Sequence, residues 1–417
     1  MILKELTNSE FARFTDYYNI HSVYQTKEYA FVMNNQNFES VFLGLVDEKG
    51  QILAASLILI DKIHNFKYAY APRGFLIDYH NFELLELFTK EIKKYLGKRN
   101  VIAIKLNPYL LRYTHEPWNR LIRKDTNYDL CLDHLKQLGY RHLGYNHFFE
   151  SLKPRYEAVI SLDLPYYQLF RNIRKEFRTK IRSAEKRGLQ MHLGNENDLQ
   201  YLYLHTQKKY PRDLKYFKDC YHFFSSNHMV DFYYIKLDVA TYLSAITKEY
   251  HKQDKICATL TQKLVDVSHT SKEKYLNQKI AADQLFNQYK KELIYATNLL
   301  KEQPNGIVIA SALVVTNQKE AYLLMDGYDT KYKRLNAKHL LIWKLCEKYS
   351  KEGYHTFNLG GVTNLDLPKN PYHGLNDFKI GFHATIKEYM GDLELVTNNT
   401  LYFMYKNSAS FRNILKK

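Results

Sequence analysis

Apolar residues in the first third of the chain come in short runs, Val41 to Val46 and Ile52 to Ile60, separated by the polar turn Asp47-Glu48-Lys49-Gly50. Runs of this length bounded by turn residues predict paired strands, with a further strand at Phe66 to Ala71. A helix over Phe82 to Leu96, stopping at Gly97, precedes another strand at Val101 to Leu106. Much of this order returns later. Strands at Asp231 to Leu237, Ile307 to Val315 and Ala321 to Met325 lead to a helix at Ala337 to Lys351, stopped by Gly353, and a strand at His355 to Leu359. The pattern predicts two copies of one α/β unit.

Where the first copy has its four-residue turn, the second carries a long polar insert, residues 239–302. Val239, Tyr242, Leu243, Ile246 and Tyr250, then Ile256, Leu260, Leu264 and Val267, follow steps of three and four, the spacing of a helix with one apolar stripe. Ser268-His269-Thr270-Ser271 interrupts the stripe, which resumes at Leu276, Ile280, Leu285, Tyr289, Leu293, Ala296 and Leu300 and ends before Pro304-Asn305-Gly306. Two helices that return to their starting point predict an antiparallel coiled-coil arm, roughly 40 Å long at ~1.5 Å per residue. Such an arm suits a large partner or a purely structural or dimerising role, and the pattern does not choose between them.

The most concentrated charge lies on a predicted helix from Pro165 to Gly188. Phe170, Ile173, Phe177, Ile181 and Ala184 form its apolar stripe. Arg171, Arg174, Lys175, Arg178, Lys180, Arg182, Lys186 and Arg187 stand elsewhere around it, opposed only by Glu176 and Glu185. That excess suits phosphate binding as well as an ordinary solvated face.

Composition narrows the class. The 417 residues exceed what one core usually organises, so two domains are expected. The longest apolar runs are nine residues, about half of the ~20 a membrane-spanning helix needs, and Met1 to Phe14 does not read as a secretory signal, so a cytoplasmic protein is expected. Cys131, Cys220, Cys257 and Cys346 lie far apart with no zinc-type spacing, so reduced structural thiols and no metal are expected. A net charge of +16 favours a polyanionic partner, whether nucleic acid, an anionic membrane surface or a phosphorylated substrate.

No Walker loop, Gly-x-Ser-x-Gly elbow, His-Glu-x-x-His pair or dinucleotide fingerprint is present, and no cofactor is expected. The doubled α/β order resembles the acetyltransferase-like (GNAT-like) fold. The expected α/β architecture is a first such domain over residues 1–155, a second over 156–238 and 303–417, and the arm at 239–302. In acyl-CoA enzymes of that fold a glycine-rich loop enters the helix after the central strands. Here that junction reads Tyr332-Lys333-Arg334-Leu335-Asn336-Ala337, without glycine, which argues against acyl-CoA.

Several blocks together resemble the Fem family of bacterial peptidyltransferases. They are Gln25 to Phe38 (QTKEYAFVMNNQNF), Tyr70 to Asp78 (YAPRGFLID), Phe177 to Leu189 (FRTKIRSAEKRGL), Ala321 to Asn358, and Gly360-Gly361-Val362 with Gly374 to Phe382 (GLNDFKIGF). The resemblance spans nearly the whole chain. It implies that Arg212 and Tyr216, in RDLKYF, bind the precursor, that Lys379 acts near the transferred group, and that Arg73 binds an anion. The basic helix, with Arg171, Arg174, Lys175, Arg178 and Arg182, would hold tRNA. Family positions occupied by a lysine, a tyrosine and an aspartate fall on Met33, Ile102 and Asn107, and a further tyrosine falls among Leu323, Leu324 and Met325; these departures leave the acceptor open. Read without the family, Arg212 and Tyr216 equally fit a stack on one helical face, and Lys379 a lysine reaching solvent from an apolar segment.

The implied reaction moves an amino acid from aminoacyl-tRNA to the stem-peptide amine of a lipid-linked peptidoglycan precursor, at the anionic inner face of the membrane. Assembly as a homo- or hetero-oligomer with related transferases is compatible with it. An aminoacyl-tRNA–protein transferase and a non-catalytic tRNA- or membrane-binding scaffold are the rival readings.

Overall fold

The computed structural model describes residues 1–18, 21–63, 65–117, 122–207, 212–266 and 269–407. In chain order the strands are β1 (Ile2–Glu5), β2 (Glu39–Val46), β3 (Ile52–Ile63), β4 (Phe66–Ala71), β5 (Val101–Leu106), β6 (Leu111–His115), β7 (Ile122–Lys124) and β8 (Arg141–His142). They continue with β9 (Tyr156–Ser161), β10 (Leu189–Leu193), β11 (Val230–Leu237), β12 (Ile307–Asn317), β13 (Glu320–Tyr328), β14 (Thr356–Val362), β15 (Thr385–Tyr389) and β16 (Leu393–Val396). Among the described residues these form two sheets, ordered β1-β2-β3-β4-β5-β16-β8 and β10-β11-β12-β13-β14-β9-β15-β6-β7.

Each sheet contains the same unit. β2, β3 and β4 pair antiparallel and β4 pairs β5 in parallel; β11, β12 and β13 pair antiparallel and β13 pairs β14 in parallel. A parallel pair needs a crossover, and helices Phe82–Lys98 and Ala337–Lys351 supply it. This is the doubled, acetyltransferase-like α/β order expected from the sequence. Gly353 (φ +78) turns the chain left-handed after the second helix, as expected. The first helix does not stop at Gly97. It runs on to Lys98, and Asn100 (φ 58) takes the left-handed turn, while Gly97 permits a close approach, since a Cβ there would lie 3.2 Å from the Thr397 carbonyl oxygen.

Strand membership crosses residue 155 in both directions. β16, near the end of the chain, pairs with β5 and completes the first sheet, while β6 and β7 extend the second through β15. Ile58, Leu85, Phe88, Ile92 and Ile104 fill the core of the first unit, and Ile235, Val314, Leu341, Leu345 and Phe357 that of the second. A third core is shared: Leu57 and Leu59 of β3 meet Phe217, Phe224, Phe232, Leu313 and Val315. Full burial of each such side chain contributes about 1.5–3 kcal/mol, so this layer welds the halves on either side of the cleft described below. All four cysteines are free and buried.

Helices Val239–Asp266 and His269–Glu302 form the arm; their 28 and 34 residues reach roughly 40–50 Å at ~1.5 Å per residue. They run antiparallel, as Tyr242 against Glu292, Tyr250 against Phe286 and Gln253 against Ala282 show. Val239, Tyr242, Ile246, Ala296 and Leu299 are buried at the root, but Ile256, Leu276, Ile280 and Leu285 are exposed, so farther out the seam is closed instead by Gln253, Cys257 and Ala282. Val267 and Ser268, assigned to the end of the first stripe and the turn, lie outside the described residues. No helix among the described residues is long and apolar enough to cross a membrane.

The predicted single helix from Pro165 to Gly188 is two helices, Tyr166–Asn172 and Lys175–Lys186. At Ile173 and Arg174 the backbone is extended (ψ 141 and 133), because the Arg174 N–H is taken by the Gly381 carbonyl oxygen at 3.0 Å and leaves the helical ladder. The buried stripe survives the break, with Ile173, Phe177, Ile181 and Ala184 in the second core and Phe170 packed at its edge.

Candidate active site

A cleft of about 750 Å³ opens between the halves. Its walls come from the segment before β9, the outer half of β13, the end of β14 and two helices, Leu214–Ser225 and His373–Ile380. Arg212 and Tyr216, four residues apart, and Lys379, far beyond them in the chain, all line it.

Lys379 is held by an irregularity in β14. The register shifts between Asn358 and Gly361, and Gly360 takes φ +73, a left-handed conformation suited to glycine. The carbonyl oxygens of Leu359 and Gly361 each accept from the Lys379 Nζ at 2.7 Å. An ammonium has three protons, so one remains for the cleft. The helix carrying Lys379 is pinned at three points. The Asn376 side chain accepts from the Thr363 N–H and donates back to its carbonyl oxygen, at 3.0 and 3.1 Å. Arg174 grips Asp377 with two hydrogen bonds of 2.8 and 2.9 Å. Gly381 lets the helix end press on the Phe177 ring, since a Cβ there would lie 2.2 Å from it. With 8% of its surface exposed, the Lys379 ammonium is short of water, and burial lowers its pKa to about 7.

Tyr216 is buried, its backbone N–H capped by the Asp213 carboxylate at 2.8 Å, and burial raises its hydroxyl well above the usual tyrosine range. The exposed Arg212 lies over the Tyr216 ring, 4.8 Å from its centroid. The two residues do stack, but not on one helical face, because Arg212 precedes the Asp213 cap of helix Leu214–Ser225; the stack lines the cleft.

Two features of the cleft escaped the sequence reading. Lys153 places its Nζ 3.1 Å from the centroid of the Tyr24 ring and donates to the Tyr29 hydroxyl at 3.3 Å, with no carboxylate in ion-pair reach among the described residues. Burial, then the nearby Arg73 and Arg212 charges, holds its pKa well below the usual lysine range. Lys338 pairs with Asp326 at 2.6 Å on the opposite wall. Neither lysine belongs to a spacing that a single sequence reveals.

Arg73 is a correction. It was expected to bind an anion from the substrate, but it is 1% exposed and its guanidinium is committed to Glu157 at 2.6 Å and the Pro154 carbonyl oxygen at 2.7 Å. Asn358 and Tyr389 complete the Glu157 carboxylate at 2.9 and 3.1 Å. Arg73 thus ties the two halves together beneath the cleft. Three of the departures lie away from the cleft lining: Ile102 is fully buried, Met33 packs against the shared core, and Asn107 accepts from the Arg73 N–H at 2.8 Å; the fourth, at Leu323, Leu324 and Met325, lines the cleft itself.

The cations of the basic segment lie apart from the cleft lining. Arg171, Lys175 and Arg182 are exposed and Arg178 is half-buried, none with a carboxylate partner among the described residues. Arg174 differs, because its grip on Asp377 makes it a support of the Lys379 helix rather than a free phosphate ligand.

A model of the FemAB family matches residues 6–409. The aminoacyltransferase FemA of Staphylococcus epidermidis is 23% identical over 411 residues, covering 97% of this chain and 98% of its own. The aminoacyltransferase FemA of Staphylococcus aureus is 23% identical over 415 residues, covering 97% of each chain. The crystal structure of FemX shares the fold, with a TM-score of 0.73 at 21% identity over 98% of this chain and 100% of that one. The blocks that resemble the Fem family thus stand in a chain matched by the family's model almost from end to end, and this chain belongs to the FemAB family.

Proposed function

We propose that this chain moves an amino acid from aminoacyl-tRNA to the stem-peptide amine of a lipid-linked peptidoglycan precursor, building the interpeptide bridge. Membership of the FemAB family and the likeness to aminoacyltransferases support the reaction class. The observation that carries the mechanism is the Lys379 ammonium, held by two carbonyl oxygens at 2.7 Å with one proton left for the cleft.

The donor is an ester, already activated. The amine nitrogen attacks the ester carbonyl carbon, the bond to the ribose oxygen breaks, and the proton lost by the amine ends on that oxygen. Such a reaction needs alignment and a charge opposite the developing oxyanion rather than a covalent intermediate. Lys379 supplies the charge. Arg212 and Tyr216 hold the precursor, and Lys153, its charged form disfavoured by burial, faces them as a nitrogen donor on the Tyr29 hydroxyl. Arg171, Lys175, Arg178 and Arg182 hold tRNA, while Arg174 positions the Lys379 helix. The net charge of +16 draws the protein to the anionic inner leaflet, where a lipid-linked acceptor resides.

Transfer of a radiolabelled amino acid from charged tRNA to lipid-linked precursor, run beside Lys379→Ala, tests the reading. The wild type transfers label and the variant does not. No transfer by the wild type despite intact tRNA binding would overturn it, as would transfer to protein N-termini alone.

A further inference from the structure

The cleft is rich in basic side chains and poor in acidic ones. Lys153, Arg212, Lys338 and Lys379 line it, and Asp326 is the single carboxylate among its described lining residues. Glu157, beneath the cleft, is taken up by Arg73, Asn358 and Tyr389, and Asn107 is an amide.

Two irregularities bring Asp326 to this place. β13 and β14 pair in parallel only over Glu320 to Tyr322 and Thr356 to Asn358; beyond that no ladder joins them among the described residues, although β13 runs on to Tyr328 and β14 to Val362. The cleft occupies the opening, with Leu323–Gly327 on one side and Leu359–Gly361 on the other. Within β13 the register against β12 also slips. Leu313 faces Met325 but Val314 faces Leu323, so Leu324 is an extra residue, and a bulge of this kind re-aims the side chains that follow it. The Asp326 side chain is 16% exposed and meets the Lys338 Nζ at 2.6 Å, while Lys338 also lies over the Phe378 ring, 4.8 Å from its centroid. Burial lowers the Lys379 pKa, and Asp326 is the strongest charge acting against that burial, which sets its carboxylate close to the Lys379 ammonium.

Attack of an amine on an ester creates two charges at once. The carbonyl oxygen becomes negative, and the nitrogen, still carrying both its protons, becomes positive. Cations alone would favour the first charge and oppose the second. We propose that Asp326 receives the acceptor amine and balances the positive charge its nitrogen gains as the C–N bond forms, while Lys379 faces the oxyanion. An alkyl amine, with a pKa of about 10.4, arrives as an ammonium and gives one proton to water before it attacks. After attack the nitrogen loses a second proton, and the ribose oxygen gains one as the C–O bond breaks. Asp326 thus makes the site selective for an acceptor whose reacting group carries positive charge. This rests on the aminoacyl-transfer reading of the same cleft.

Two ligands test it: lipid-linked precursor in detergent micelles, and the same molecule with its stem-peptide amine replaced by a methyl group. Isothermal titration calorimetry without any donor gives the wild type a preference for the amine of about ten- to a hundred-fold, the range of one charge-assisted hydrogen bond. Asp326→Asn, which keeps the size of the side chain, loses that preference by binding the amine more weakly, yet holds the methyl analogue and charged tRNA as the wild type does. Its kcat for transfer falls on the order of a hundred-fold. Lys338→Met retains the preference. A wild type that does not distinguish the two ligands overturns the proposal, and so does an undiminished preference in Asp326→Asn; the transfer reading survives either result if the wild type still moves label to precursor. Equal loss of preference in Lys338→Met would reduce Asp326 to the partner of that lysine, and weaker binding of both ligands by Asp326→Asn would reduce it to a support of the cleft; each overturns the proposal. No transfer by the wild type removes the transfer reading, while the donor-free preference reports on Asp326 separately.

Discussion

Replacing Lys379 with Met separates a lysine kept for chemistry from one kept for packing. The ordinary lysine value of 10.5 falls to about 7 here. At about 1.4 kcal/mol per pH unit, the protonated side chain destabilises the fold by about 5 kcal/mol below pH 7. The folded-state value is the lower one, so between about 7 and 10.5 the unfolded chain holds more protons, and the penalty shrinks as pH rises. Methionine fills similar volume without charge, but it abandons the Leu359 and Gly361 carbonyl oxygens at about 1.5 kcal/mol each. The variant should therefore be more stable than wild type by about 2 kcal/mol at pH 6.5, equal near pH 8.5, and less stable by pH 9.5. Urea unfolding followed by circular dichroism at those three values measures the crossing. Transfer from charged tRNA should fall about 10²- to 10³-fold, the usual cost of one lost oxyanion donor. A variant that is less stable at every pH and transfers at the wild-type rate would refute both the strained ammonium and its role.

Transfer that depends on the Lys379 ammonium should decline as pH rises through about 7, and Lys379→Arg, which stays charged, should lose that limb even if its rate is lower; initial rates between pH 6 and 9 check this. Arg212→Ala should raise the KM for precursor about ten-fold with a much smaller change in kcat, because its partners face the cleft and not the transferred group; steady-state kinetics with each substrate varied in turn check the split. Arg73→Met should leave Glu157 buried and unpaired and cost about 3–5 kcal/mol, seen as a lower urea midpoint rather than a selective rise in KM.

Local periodicity made the two units and the arm legible, because a buried strand or amphipathic helix writes its own period into the chain. It could not say which strands meet. Leu393–Val396 is only four residues, LELV, with a glutamate inside it, and nothing local reveals that it pairs with β5 rather than with its neighbours in sequence. Arg73 was misread for a related reason: the resemblance implied an anion site there, and Glu157, 84 residues along the chain, is the anion found against it. The break at Ile173 and Arg174 comes from a tertiary contact, the Gly381 carbonyl oxygen, that overrides an unbroken helical pattern. Arg212, Tyr216 and Lys379 were reached through resemblance to a family, since their residue types alone fit ordinary surface roles equally well. Lys153 carried no signal at all; its setting exists only once Tyr24 and Tyr29 lie beneath it.

The late arrival of β16 bears on how the molecule is made. A ribosome releases β1 to β5 long before Leu393–Val396 emerges, so the nascent first sheet keeps the outer edge of β5 unpaired, and its short strand β8 has nothing to join. An open edge of this kind recruits stray strands. Chains halted anywhere before residue 393 therefore leave a sticky half-product rather than a working first lobe, and trimming the chain back past β16 harms the end that was synthesised first.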